Sequence, residues 1–372
     1  MKERGNPLLK RLDFIIGVPI VFFLGVIKKI FLKKSEGFNK ENIKTIGVIK
    51  EAAIGDLVIL SGVLKDLEKN FPNSKLILFC SETNQAIVEL LDLKNPVEKV
   101  VLPISKPVEL FKKIISLEPI DILFDFGQWP RINAIISFFI NSKFKIGFKT
   151  KGQYRHYVYD RVIEHIEKGV HEVENFRNLL RSVSIPVGEK PSLKVVNSLI
   201  KLPEKYVVFH LFPGGSKANL KKWNINNWIT IGKYLVKKGY HIILTGGKSD
   251  SKDAEVVRWK FEHEDIDGKM IINYTGESLK DSIYILKNSK LIVSIDTGIV
   301  HIASAINANI VALYGPTDPV RWGPLSENSK VIYNKRECSP CISLGFETQC
   351  EKPECMDSIK VEDVIKAIDS FL

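Results

Sequence analysis

The chain lacks the features that would place it in several large protein classes. Its longest uncharged apolar run, Phe14 to Ile27 (FIIGVPIVFFLGVI), has 14 residues, whereas a spanning helix needs about 20. Pro19 inside that run further weakens a straight helix. No Asp-x-Asp pair stands in a loop placed to hold a divalent cation. A phosphate-binding P-loop is missing too. Gly246-Gly247-Lys248-Ser249 ends like one, but Ile242 stands where the first glycine belongs, and the stretch follows its strand too closely. No DNA- or RNA-binding motif accompanies the net charge of +11. Cysteine is sparse at five residues, and four of them sit close together near the carboxyl end.

What is present is unevenly spread. Residues 1–34 hold eight Lys or Arg against two acids, so more than half of the excess charge lies there. Lys10 and Arg11 precede the apolar run, and Lys28, Lys29, Lys33 and Lys34 follow it. A signal peptide shares the charged start and apolar middle, but KKIFLKK occupies the place of a small-residue cleavage site, so no removal is expected. The pattern fits an interfacial helix, its lysines drawn to anionic lipid on the cytoplasmic face of a membrane. Cys338-x2-Cys341-x8-Cys350-x4-Cys355 has a first pair at zinc-ligand spacing. Free thiols and a structural zinc with four closed thiolate ligands are both compatible with it.

A chain of 372 residues exceeds the size at which one core stops growing, about 250 to 300 residues, so two domains are expected. The apolar-basic segment occupies 1–34, and 35–42 reads as a polar linker. Strand and helix signals then alternate from Thr45-Ile-Gly-Val-Ile-Lys50 through Asp121-Ile-Leu-Phe-Asp-Phe126. A less regular stretch runs from Gly147 to Pro203, after which YVVFHL, HIILTG, MIINYTG, LIVSID and IVALYG restart the pattern. This order implies α/β folding on parallel sheets with right-handed crossovers. It places one domain at 43–195, a second at 204–355 and a last, mildly amphipathic helix at 356–372.

The chemistry-bearing residues follow the strands. Leu291 to Ile295 (LIVSI) is a continuous apolar run of the kind buried on both faces of a parallel sheet. Asp296-Thr297-Gly298 and His301 come next, and Gly315-Pro316-Thr317-Asp318-Pro319 follows the strand IVALY. Helix amino termini after such turns offer unpaired N–H groups to a phosphate. Phe212-Pro213-Gly214-Gly215-Ser216 follows YVVFHL and leads to Lys221-Lys222-Trp223. There, glycine backbone, hydroxyl and ammonium suit a diphosphate. Taken singly, each residue also has a plain role as cap, turn or solvated charge.

DTGIVHIASA at Asp296–Ala305, GPTDP at Gly315–Pro319 and the closing Arg321-Trp322-Gly323-Pro324 together resemble glycosyltransferase family 9, the heptosyltransferases of the lipopolysaccharide inner core. The resemblance covers about residues 43 to 372 and implies a GT-B fold, two facing Rossmann-like domains, with the amino-terminal apolar helix outside it. It implies an inverting, metal-independent transfer of heptose from ADP-heptose, by a cytoplasmic enzyme peripheral to the inner membrane. The family's Gly-Asp pair falls on Gly55-Asp56, making Asp56 the general base that an attacking hydroxyl needs. On the residues alone, base and helix cap are equally supported for Asp56.

The family's Lys two positions before a Trp makes Lys221 the diphosphate ligand and Lys222 its solvated neighbour; Asn224 departs from the usual proline. Gly214, Gly215, Ser216, Asp296, Thr297, Gly298 and His301 join Lys221 at the donor, with Asp250 matched to an acid near the ribose. The acceptor, an anionic lipid-linked oligosaccharide, is assigned to Gly55, Arg131, Lys149, Lys151, Arg155 and His156, most of them in the basic, aromatic-rich stretch 143–161. Another nucleotide-sugar enzyme on this fold, such as an epimerase, or a non-catalytic binding protein fits the same residues less specifically.

Overall fold

A computed structural model describes residues 7–31, 40–215, 217–264, 266–343 and 350–372, with side chains described throughout except at 7–10 and 12. The expected linker at 35–42 falls outside them as far as 39, and Lys40–Asn42 form a 3-10 turn. The chain divides into two compact units, one ending at Pro191 and the other formed by Ser192–Leu372.

The first unit opens with helix α1 (Pro7–Phe31) and continues through β1 (Thr45–Ile49), α2 (Ile54–Asn70), β2 (Lys75–Cys80), the short α3 (Gln85–Val88) and β3 (Glu98–Val101). Next come α4 (Pro107–Ile115), β4 (Ile120–Asp125), α5 (Arg131–Phe139), β5 (Ser142–Lys149), β6 (Arg161–Glu164) and α6 (Glu172–Arg181). All strands are parallel, in the order β3-β2-β1-β4-β5-β6. The stretch from Gly147 to Pro203 thus contains an edge strand and a helix that the sequence pattern does not announce. RVIE in β6 is four residues long and carries a charge at each end, so it has no apolar periodicity to detect.

The second unit repeats the plan. Its elements are β7 (Tyr206–His210), α7 (Ile225–Lys237), β8 (His241–Leu244), α8 (Ser251–Glu262), β9 (Ile271–Asn273), α9 (Leu279–Asn288) and β10 (Leu291–Ile295). They are followed by α10 (Gly298–Ala305), β11 (Ile310–Tyr314), α11 (Pro319–Trp322), β12 (Ser329–Tyr333), α12 (Glu354–Asp357) and α13 (Val361–Asp369). The strand order β12-β11-β10-β7-β8-β9 is the same doubly wound order as in the first unit. Strands β7, β10 and β11 are buried along their whole length, as apolar runs covered by helices on both faces must be.

Val364, Ala367 and Ile368 of the last helix, α13, join the core of the second unit, and Asp369 accepts from Tyr234 at 2.5 Å and pairs with Lys238 at 2.6 Å. The apolar amino-terminal run is longer as a helix than as a run of uncharged residues. Asp13–Phe31 forms 19 residues long and apolar enough to cross a membrane by length and composition, and the helix continues through Pro19.

In each sheet the order reverses beside its first strand, between β1 and β4 and between β7 and β10. Ligands of such sheets bind beyond the carboxyl ends of the strands at this switch point.

Candidate active site residues in the two units

At the switch point of the first unit, β1 ends in Lys50 and α2 begins at Ile54. The residue capping α2 is Ala53, held at φ 52°, and no side chain makes the cap bond. Asp56 therefore does not cap the helix. Its Oδ1 accepts from Lys50 Nζ at 3.1 Å and from Gln128 Nε2 at 3.2 Å, and nothing among the described residues bonds its Oδ2. The side chain keeps 18% of its surface exposed. One carboxylate oxygen is thus held by two donors, and the side chain stays partly open to solvent.

A buried polar chain stands behind this carboxylate. Lys50 is wholly buried, and its ammonium donates to Gln128 Oε1 at 2.7 Å and to the Phe126 carbonyl at 3.3 Å besides meeting Asp56. Three acceptors match its three donors, the condition under which a buried ammonium is tolerable. Gln128 also donates to Glu172 Oε1 at 3.0 Å, which lies 2.9 Å from His165 Nε2. Sequence reasoning gave no role to Lys50, Gln128, Glu172 or His165. A lysine closing an apolar strand was the one available signal, since the others are gathered only by the fold.

The residues assigned to an acceptor separate into two groups. Lys149, Lys151 and His156 line one groove of about 500 Å³ together with Tyr154, Glu164 and His165. Lys149 pairs there with Glu164 at 2.5 Å. Burial, and then the positive charge of Lys149, hold the His156 ring below its ordinary pKa. Gly55 is buried in the first turn of α2.

Arg155 and Arg131 are corrections. Arg155 has no exposed side-chain surface. It pairs with Asp125 Oδ2 at 2.5 Å, donates to Tyr159 Oη at 2.8 Å and also reaches the Gly127 carbonyl. Arg131 is ion-paired with Asp13 of α1 and donates to the Gly152 carbonyl at 3.2 Å. Both guanidinium groups hold the unit together from inside and are too buried to meet an acceptor. The cause is where each residue falls in the fold: Arg131 opens α5 against α1, and Arg155 lies in the 3-10 turn Arg155–Val158 that follows β5 and packs against Asp125, so a run of basic residues in sequence does not make one basic surface. Lys145, on the buried side, donates to the Phe138 carbonyl at 2.8 Å.

At the switch point of the second unit, Asp296 leaves β10 and its carboxylate is buried. Oδ2 accepts from Lys221 Nζ at 2.8 Å and from Thr317 Oγ1 at 2.7 Å. Burial alone would raise this carboxyl's pKa, but the Lys221 ammonium, the Thr317 hydroxyl and the positive influence of His301 hold it below the usual carboxylate range. Thr297 caps α10, accepting from Ile299 N at 3.3 Å, and Gly298 opens the helix. His301 lies buried one turn later, its ring 6.4 Å from that of Trp322.

Lys221 closes a 3-10 turn, Ala218–Lys221, and faces inward, whereas Lys222 faces solvent. Trp223, pinned by its Nε1 to the Ile359 carbonyl at 3.1 Å, anchors the turn in the core. Asn224 caps α7 by accepting from Asn226 N at 3.0 Å, which explains how the departure from proline is accommodated. Gly215 sits at φ 86°, a region that disfavours side chains, and nothing crowds Gly214 or Gly215. Ser216 lies outside the described residues. Asp250 closes its own turn, accepting from Gly247 N at 2.8 Å. Thr317, not among the residues assigned to the donor, reaches Asp296 because β10 and β11 are adjacent.

Among the described residues, no three His, Cys, Asp or Glu side chains gather closely enough to hold a metal ion. Cys338, Cys341 and Cys350 are near enough to Cys355 to affect its thiol, which burial pushes up to about 11. Residues 344–349 of that loop lie outside the described residues.

Two Rossmann-like units with polar residues converging at both switch points define the architecture as that of a GT-B glycosyltransferase. A family model described as glycosyltransferase family 9 (heptosyltransferase) matches residues 132–351, more than half of the chain, and the chain belongs to that family. It is 24% identical over 321 residues to lipooligosaccharide heptosyltransferase 2 of Campylobacter jejuni, covering 85% of this chain and 95% of that one. It is 27% identical over 148 residues to the Haemophilus influenzae protein of the same name, a match of 40% of this chain that spans only 42% of the relative. The solved structure of Escherichia coli ADP-heptose lps heptosyltransferase II aligns with a TM-score of 0.70 at 18% identity, covering 88% of this chain and 98% of that one. At that identity the alignment carries the fold.

Proposed function

We propose that this chain transfers heptose from ADP-heptose to a lipopolysaccharide inner-core acceptor, with inversion at the anomeric carbon, while held at the cytoplasmic face of the membrane. The observation that carries the reading is the joining of Lys221, Asp296 and Thr317 beside the amino terminus of α10. The diphosphate of the donor is placed there. Lys221 and the positive end of the helix dipole meet the charge that grows on the leaving ADP, so no divalent cation is needed at that point. Asp296 acts through Lys221: a carboxylate repels a diphosphate, but it fixes the ammonium that attracts one.

In the first unit Asp56 takes the proton of the attacking acceptor hydroxyl on Oδ2, while Lys50 and Gln128 keep Oδ1 in place. The new glycosidic bond forms as the bond to ADP breaks, and the proton stays on Asp56 until solvent removes it. The groove lined by Lys149, Lys151 and His156 suits the anionic acceptor sugar. Exposed apolar residues and lysines of α1 suit a peripheral place on the membrane.

Two substitutions test this. Asp56→Asn is expected to lower kcat by about 10²- to 10⁴-fold, the usual contribution of a general base, with the donor Kd changed less than about twofold. Lys221→Ala is expected to weaken donor binding by about tenfold or more, the loss of one charged hydrogen bond. Product is read by mass spectrometry as an added heptose on the acceptor, with and without a chelator. Full turnover by the Asp56 variant, or donor isomerisation without transfer, refutes the assignment.

A further inference from the structure

Helix α1 is inside out for a helix resting on a soluble domain. Its line of contact with the first unit is Asp13, Gly17, Val21, Leu24 and Lys28, spaced by four, four, three and four residues, so they form one stripe. Both charged members of that stripe point inward. Asp13 is ion-paired with buried Arg131. Lys28 pairs with Asp160 at 2.7 Å and donates to the Val158 carbonyl at 2.8 Å. Gly25 brings the helix backbone so close that a Cβ there would stand 2.5 Å from Tyr157 Cβ. The outward face shows Phe14, Ile15, Phe23, Ile30 and Phe31, each more than half exposed. A surface helix in water turns its apolar stripe to the core and its charges outward. This one keeps Val21 and Leu24 inward but leaves most of its large apolar residues outward while Asp13 and Lys28 pair with the protein, an arrangement that suits an apolar outer medium.

That medium extends beyond α1. On α4, Leu110 and Ile114 are buried, while Val108 is 70%, Phe111 44% and Ile115 57% exposed, a second apolar stripe at helical spacing. Helix α5 connects the two. Phe138 packs into the cluster containing Val21 and Leu24 of α1; its ring lies 5.2 Å from that of Phe139, which lies 5.0 Å from that of Phe111. Lys29 on α1 and Lys112 and Lys113 on α4 are exposed at the border of this surface. Glu109, the acid on α4, is matched by Lys106 at 3.1 Å. Apolar residues rimmed by lysine complement a leaflet with anionic headgroups.

The clamps decide how α1 meets that leaflet. Asp13 and Lys28 fix about 22 Å of helix along the unit at 1.5 Å per residue. This is most of the length that would have to cross a hydrocarbon core about 30 Å thick. We propose that the exposed faces of α1 and α4, joined through Phe139, form one surface that docks on an anionic lipid leaflet, with α1 lying in the membrane plane. The proposal rests on the peripheral-membrane reading and extends it from one helix to two.

The test uses the full chain, with vesicles of phosphatidylcholine alone or with one quarter phosphatidylglycerol. Val108→Ser/Phe111→Ser/Ile115→Ser changes exposed residues of α4, and Phe14→Ser/Phe23→Ser/Ile30→Ser does the same on α1; thermal melts check that both stay folded. The α4 variant is expected to sediment with anionic vesicles at least about tenfold less well than the parent, since binding scales with buried apolar area. Undiminished binding by the α4 variant overturns the two-helix surface, whereas undiminished binding by the α1 variant overturns the peripheral reading itself. Equal binding of the parent to uncharged vesicles overturns the anionic partner. Self-association through this surface without vesicle binding makes the partner a second copy and overturns the lipid assignment. A fluorescent amino acid placed in turn at 15, 23 and 30 is expected to be quenched equally by shallow nitroxide lipids. Depth graded along the three positions shows a crossing helix and overturns the in-plane placement.

Discussion

Arg155 offers the sharpest contrast between a surface reading and the fold. As an acceptor contact its loss would raise the acceptor KM and leave stability untouched. The structure instead gives it no exposed side-chain surface and sets it against Asp125 and Tyr159. Burial opposes its charge, but the carboxylate of Asp125 and the Tyr159 phenol more than offset that and raise the guanidinium's pKa. Burial likewise raises the Tyr159 phenol well above its ordinary value. Replacing Arg155 with Met keeps an unbranched apolar stem but leaves Asp125 buried without its cation. Breaking one side of such a pair costs about 3 to 5 kcal/mol. For a unit of this size each kcal/mol lowers Tm by about 2 to 4 °C, so a loss of about 4 kcal/mol lowers it by roughly 8 to 16 °C. Differential scanning calorimetry reads this directly. The double variant Arg155→Met/Asp125→Leu removes both charges and is expected to regain most of the loss, because a buried pair and its apolar replacement are often close in stability. A drop under about 3 °C, or a raised acceptor KM at unchanged Tm, refutes the structural role.

Three further outcomes follow from particular contacts. Lys149→Ala with Lys151→Ala is expected to raise the acceptor KM about tenfold or more with donor Kd unchanged, measured by initial rates; an equal effect on both substrates counts against the groove as acceptor site. His210 is buried against Thr245, and burial pushes its pKa down to about 4. The folded ring is therefore neutral where the unfolded one, near 6.5, takes a proton. Its stabilising contribution is complete above about pH 6.5 and fades as pH falls toward 4, by up to about 3 kcal/mol. Urea titrations at pH 7 and 4.5 are expected to show a smaller pH effect in His210→Gln than in the parent, and parallel profiles refute it. Gly25→Ile is expected to lift α1 from Tyr157 and speed tryptic cleavage after Lys28 and Lys29; an unchanged digestion rate shows that the close approach is not required.

The parts legible in the sequence were those in which one residue acts within its own turn. The apolar runs of β7, β10 and β11 and the start of α10 directly after β10 depend on neighbours a few positions away, whereas the choice of Lys221 over Lys222 came from the family's spacing to Trp223. The parts that were not legible depend on which strands lie side by side. Thr317 meets Asp296 only because β11 pairs with β10, and Gln128 meets Asp56 only because β4 pairs with β1. The same dependence explains the misreading of the basic stretch 143–161. Counting its charges treats it as one surface, but Lys145 within β5 and Arg155 in the following 3-10 turn at Arg155–Val158 are buried, while Lys149 and His156 line the groove. Charge in sequence therefore predicts a binding face only after the face of each residue is known. This argument applies most strongly to α1, whose lysines were read together as contacts for lipid headgroups although one of them, Lys28, is ion-paired with Asp160 of the protein itself. Asp13 and Lys28 are the clamps that hold the helix to the protein, and most of the large apolar residues between them stay exposed.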